Sequence, residues 1–253
     1  MFGGAGVKPS LEASLIAVNA ALYAVFGYLT YLGIFAPIFG TVRFWPAVII
    51  PAVFSILFSP RIGGAGAAVG IFVSDMLIHG NPLLSLTVGV PSNFAAFYLI
   101  GLLAQRWRGK TSATISIGIQ LIPVLGCAAI YFWNLINDLT AAIFLAVSTI
   151  ILAFTVILYA AQRRYLELAA ASSIGLMAGS AMIGVGLWAY SQLFILPIGG
   201  IRNAPLVAAL VWFLWTYLTE IPFLHFLLPP ILEAASRAMP SRLGLLKEEK
   251  VKE

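Results

Sequence analysis

The chain has 253 residues, 61% of them hydrophobic and only 9% charged, with a net charge of +5. An ordinary soluble domain carries about 25% charged residues, so this composition excludes a water-solvated globule and calls for a bilayer as solvent. The basic residues are dispersed along the chain with no aromatic platform beside them, which excludes a nucleic-acid surface.

In lipid every backbone polar group must be paired within the protein, so only helices or a closed barrel can cross. A barrel would show alternating segments of about ten residues, whereas the apolar runs here are much longer and do not alternate. The fold class expected is therefore an all-α, polytopic bundle. Polar punctuation divides it into eight spans, at about 13–35, 44–58, 62–79, 83–104, 112–133, 139–161, 168–196 and 204–228. Residues 1–240 form one transmembrane domain, and 241–253 a short charged cytoplasmic tail.

The first span is too long for a signal-peptide core and is followed by no small-residue cleavage site, so it is expected to be retained. It carries Ala13, Ala17 and Ala21 on one helical face, with Ala20 and Ala24 as a second small row. Small residues at that spacing let another helix approach closely, either within this chain or in a partner subunit. The second span holds Pro46 and Pro51, which break backbone hydrogen bonds. Spans two and three therefore form either two crossings or one re-entrant pair.

Gly66 and Gly70 lead along the third span to Asp75, with His79 one turn later on the same face. A charged group in a span costs about 2.5–3.5 kcal/mol at the bilayer centre and marks a functional site by default. A hydrogen bond between the two at a helix end is the plainer account. After the fourth span, residues 104–111 fit a relaxed phosphate-loop pattern, but they leave a membrane helix through bulky Trp107 and Arg108, where a phosphate loop follows a strand. They read as a basic cytoplasmic loop, and no ATPase site is expected in this chain. Cys127 has no disulfide partner and no neighbours at metal-ligand spacing. Glu220 and His225, flanking Pro222 toward the inner side of the last span, form either interfacial caps or a proton relay. Enzyme signatures such as H-E-x-x-H and G-x-S-x-G are absent. Neither catalysis, a cofactor nor a metal site is expected.

Lysine and arginine favour cytoplasmic loops. With the N-terminus inside, eight spans place twelve of them in the cytoplasmic set and only Arg43 and Arg202 outside, which supports an N-in, C-in arrangement. The same topology gathers Arg43, Asp75, His79, Asn81, Asn134, Asn137, Asp138, Arg202 and Asn203 at the external ends of the spans. These are the candidate binding residues, since a small-molecule site needs a few convergent polar groups in an apolar cleft. Arg43 or Arg202 would face a carboxylate or phosphate, and Asn134, Asn137 and Asn203 would orient the ligand.

The stretch Val42-Arg43-Phe44-Trp45-Pro46, then Ser59-Pro60-Arg61-Ile62-Gly63-Gly64-Ala65-Gly66 and Ser74-Asp75-Met76-Leu77, resembles the substrate-binding S components of energy-coupling factor transporters. The row Ala13, Ala17 and Ala21 resembles that family's alanine motif, and the likeness covers about residues 1–105. It implies a capture subunit that binds a vitamin-like micronutrient externally and docks through the alanine row on a transmembrane T component, with cytoplasmic ATPases as further partners. Family members usually have about six helices, against eight spans here. Its metal-transporting members begin Met-His, where this chain begins Met1-Phe2, so cobalt and nickel are not expected. Two other classes stand beside this one: an autonomous carrier coupled to protons through Glu220 or Asp75, and a membrane enzyme or structural subunit.

Overall fold

The computed structural model describes residues 8–34, 38–39, 42–106, 110–161 and 163–238. The expected tail at 241–253, the opening Met1-Phe2 and the loop residues Trp107 and Arg108 lie outside the described residues. The rest is a helical bundle with six helices long and apolar enough to cross a membrane: Pro9–Leu32, Pro60–Ile78, Pro82–Arg106, Asp138–Ile157, Tyr165–Leu193 and Val207–Ala235. The protein is a multi-pass membrane protein.

Helix α1 (Pro9–Leu29) starts at a proline, whose missing N–H costs nothing in a first turn, and runs on as a π turn over Thr30–Ile34. A two-residue hairpin follows, β1 (Ile38–Phe39) against β2 (Val42–Arg43), with Ile38 opposite Arg43. The chain re-enters helix through a 3-10 turn at Pro46–Val48 into α2 (Ile49–Leu57). The second expected span, at 44–58, corresponds to this short helix. Pro46–Leu57 is a short apolar helix that rises roughly 18 Å at 1.5 Å per residue, well below the hydrocarbon thickness of about 30 Å. Trp45, non-helical at φ −133° and ψ 68° ahead of a proline, keeps the helix from growing backward.

Helix α3 (Pro60–Ile78) is capped by the Ser59 hydroxyl, which accepts from the Ile62 N–H at 3.2 Å. One turn of α4 (Pro82–Leu84), a π turn at Ser85–Gly89 and α5 (Val90–Arg106) make one continuous rod. Helices α6 (Lys110–Phe132), α7 (Asp138–Ala161), α8 (Arg163–Leu193) and α9 (Val207–Phe226) complete the bundle, and α10 (Leu228–Ala238) ends it. The 23-residue α6 lies where the fifth span was expected, although its clearly apolar part, Ile117–Phe132, is shorter. Among the described residues six helices are long and apolar enough to cross, and two shorter apolar helices lie at the second and fifth expected spans.

Small residues set how closely these rods approach. A Cβ on Gly66 would run into Asn19, and one on Gly70 would meet the Ala20 carbonyl at 2.8 Å, so α1 and α3 touch nearly backbone to backbone. Asn19 uses that closeness to donate to the carbonyls of Ile62 at 3.0 Å and Gly63 at 3.3 Å. Gly175 and Gly179 on α8 play the same part against α5, where added Cβ atoms would meet Ile100 at 2.5 Å and Ala96 at 2.6 Å. Close helix contact of this kind replaces the hydrophobic drive that lipid does not supply. On α1 the two alanine rows separate: Ala20 and Ala24 are buried in the bundle, whereas Ala13, Ala17 and Ala21 are exposed on its outer surface.

Candidate functional site

Between α1, α3, α5, α8 and α9 lies a cavity of about 100 Å³, room for a cluster of waters at roughly 10–15 Å³ each or for one small organic molecule. Along the rod from α4 into α5 its lining descends from Leu84 through Val88, Ser92 and Ala96 to Phe97, about 20 Å at 1.5 Å per residue. At the far end Tyr23, Phe97, Leu176 and Glu220 form the floor; at the near end His79, Leu187, Pro197 and Ile198 form the mouth. Tyr23 packs edge-on against both Trp45 and Phe97, with ring centroids 6.1 Å and 5.9 Å apart, so the floor is rigidly aromatic.

A charged knot holds the wall beside the mouth. Asp75 Oδ1 accepts from Arg43 Nη2 at 2.6 Å, and Asp75 Oδ2 accepts from the Ser85 hydroxyl at 2.7 Å. Gly89 makes this possible, because a Cβ there would stand 2.7 Å from Asp75 Oδ2. The π turn at Ser85–Gly89 widens the helix where Ser85 reaches across, a local device frequent at functional sites. His79 Nδ1 accepts from the Asn81 N–H at 3.1 Å, which leaves the proton on Nε2, 3.4 Å from Asp75. Both Asp75 oxygens are therefore engaged. Arg43 lies 4.9 Å from the centre of the Trp45 ring, so the hairpin's last residue is pinned on two sides. Deeper in, the Tyr23 hydroxyl donates to Asn93 Oδ1 at 2.7 Å.

Glu220 differs from these groups. It is 7% exposed, it lines the cavity, and no hydrogen bond or ion pair joins it to any described residue. The field of Arg43 reaches it, but the guanidinium is bonded to Asp75 instead.

The connection from α8 to α9 folds back over the mouth. Its turn runs through Gly199 and Gly200, at φ +82° and +62°, and is closed by the Leu196 N–H donating to the Ile201 carbonyl at 2.9 Å. The Asn203 N–H donates to the Ser191 carbonyl at 2.8 Å, and the Ala204 N–H to the Ser191 hydroxyl at 3.1 Å. Pro197 and Ile198 are thereby held against the cavity.

Of the residues expected at a site, Arg43, Asp75 and His79 line the cavity together. Asn81 stands just behind, capping α4 through the Leu84 N–H at 3.0 Å and donating to the Tyr190 hydroxyl at 3.0 Å. Arg202 and Asn203 are exposed on the folded loop and do not line this cavity. Asn134 takes a left-handed turn at φ 51°, Asn137 accepts from the Thr140 N–H at 2.9 Å, and Asp138 opens α7. All three are exposed and lie away from the cavity. The paired reading of Glu220 with His225 is corrected. Five residues along a helix put two side chains about 140° apart, and His225 instead meets the Ser173 hydroxyl at 3.0 Å. Ser173, Gln120 and Tyr217 form a separate buried chain, with Gln120 Oε1 accepting from the Tyr217 hydroxyl at 2.9 Å.

Sequence reasoning missed Tyr23, Asn93, Phe97 and Thr216 as cavity residues. The available signal was the run Gly89, Ser92, Asn93 and Ala96, a small and polar stripe at helical spacing inside an apolar span. Comparison with known proteins adds no relative: no family model, no curated protein and no solved structure matches this chain.

Proposed function

We propose that this chain is the substrate-capture subunit of an energy-coupling factor importer in the cell membrane, binding a small vitamin-like micronutrient on the external side. A transmembrane T component and cytoplasmic ATPases would then drive release inward. The observation that carries this reading is the deep, largely apolar cavity with a few convergent polar groups at one end of the bundle. The asymmetry of lysine and arginine assigns that end to the outside. In this reading α6 crosses fully, and the hairpin with α2 makes one discontinuous crossing, giving eight passes with both termini inside. A broken helix beginning beside a binding cavity is a recurrent feature of transporters.

The outward-facing row Ala13, Ala17 and Ala21 supports docking on a T component, since the bundle leaves it unused. Affinity purification of the tagged chain from its native membrane in mild detergent tests the proposal, with mass spectrometry of co-purifying proteins and small molecules. A T component with ATPases is the expected result. Their absence, under conditions that retain other complexes, refutes it.

The unpartnered Glu220 favours a second reading, a proton-coupled carrier acting without ATPases. Uptake into proteoliposomes that contain this chain alone, driven by a pH gradient, would select that reading over the first.

A further inference from the structure

We infer that the cavity takes an organic cation, a compact ammonium- or amidinium-bearing molecule with an apolar body, seated with its N–H donors on Glu220. The inference rests on the reading of this cavity as the capture site and specifies the chemistry of what is captured.

The argument starts from charge. Four ionisable side chains with a role in electrostatics line the cavity: Arg43, Asp75, His79 and Glu220. Arg43 and Asp75 are joined at 2.6 Å through Nη2, while Arg43 Nη1 is buried without a hydrogen-bond partner among the described residues, and the His79 N–H is directed at that same carboxylate. Beyond that pair stands one carboxyl group, Glu220, more than nine-tenths buried and bonded to nothing among the described residues, while still touching the open space. A buried carboxyl group is costly to ionise alone, and a cation that also donates hydrogen bonds stabilises its carboxylate form. A carboxylate or phosphate on the ligand would have to enter against it.

The neighbours of Glu220 select an organic cation over a metal ion. Among the described residues no three His, Cys, Asp or Glu side chains converge, and one carboxylate is too few for a hard cation that takes six or more oxygens. The rest of the floor is Tyr23, Phe97 and Leu176, with the Trp45 ring beside Tyr23. Aromatic walls attract cations and accommodate an apolar body. A molecule with its cationic group on Glu220 would extend its apolar part up the Val88, Ile183 and Leu187 wall toward the mouth.

The test uses the full chain in lipid nanodiscs at pH 7, with three matched probes: benzylammonium, benzyl alcohol and benzoate. Binding is read by calorimetry after subtraction of empty nanodiscs. Benzylammonium should bind tightest and benzoate weakest. Glu220→Gln, nearly isosteric, should weaken benzylammonium by about tenfold or more while changing benzyl alcohol by less than about twofold. Benzoate binding as tightly as benzylammonium overturns the proposal. So does an unchanged affinity in Glu220→Gln, displacement of benzylammonium by equimolar sodium, or failure of all three probes to bind. The wild-type charge series keeps the test decisive even where the variant folds poorly. Co-purification of a T component and ATPases does not depend on Glu220, so loss of cation selectivity and loss of the importer reading register in separate experiments.

Discussion

Replacing Asp75 by Asn keeps the side chain's shape and removes its charge. In the folded protein this strands Arg43, whose side chain is only 13% exposed and whose Nη2 is held at 2.6 Å by the carboxylate. Unit charges about 4 Å apart at an effective dielectric near 20 interact by about 4 kcal/mol. Breaking one side of a buried pair typically costs about 3–5 kcal/mol, because the surviving charge stays buried without a partner. Asp75→Asn and Arg43→Gln should each destabilise by that amount. The double variant, with neither charge left, should be more stable than their sum by about 2–3 kcal/mol. That coupling stands well above the roughly 0.6 kcal/mol usual for interhelical hydrogen bonds in membranes. Reversible unfolding in mixed micelles, followed by circular dichroism, measures all four corners of the cycle. Additivity within about 0.5 kcal/mol would show that the pair is not coupled and that the hairpin is held by other contacts.

The remaining predictions draw on separate parts of the molecule. Ser85→Ala removes a hydrogen bond to the Asp75 carboxylate and should cost about 1.5–3 kcal/mol, less than Asp75→Asn in the same assay. Gly66→Leu drives a side chain into Asn19 and should cost about 1–3 kcal/mol or abolish folded yield; wild-type melting behaviour would refute the close α1–α3 contact. Arg202 is exposed and outside the cavity, so Arg202→Gln should leave the affinity of any retained ligand unchanged, whereas a tenfold loss would bring the folded loop into the site. Ala13→Leu, Ala17→Leu and Ala21→Leu together should leave folding and ligand retention intact but eliminate co-purification of a T component. Retention of that partner in the triple variant would remove the docking role.

Much of the fold was legible because lipid imposes a crude rule. An apolar run of about twenty residues must be a helix, and the ends of α3, α6 and α7 fall within a few residues of the spans expected from composition. The second expected span is short in sequence and short in the structure, because Trp45 and Pro46 end the helix at its N-terminal side. The site was legible only in part. Asp75, Arg43 and His79 stand out as charges in apolar surroundings, and all three line the cavity. Asn134, Asn137 and Asn203 looked similar in sequence, but Asn134 and Asn203 take left-handed turns that asparagine tolerates, and Asn137 caps α7 with its side-chain oxygen.

The sequence by itself determined that this is a helical membrane protein, where most helices begin and end, and which side chains pay a penalty in lipid. Only the tertiary structure decided what relieves that penalty. Arg43 and Asp75 are 32 residues apart and meet because a short hairpin folds back beside α3. Glu220 meets no partner among the described residues, because α9 turns it toward a cavity walled by α1, α5 and α8. Hydropathy is a property of each residue in turn. Pairing is a property of which helix faces oppose, and the glycines that set those faces act only once the helices have met.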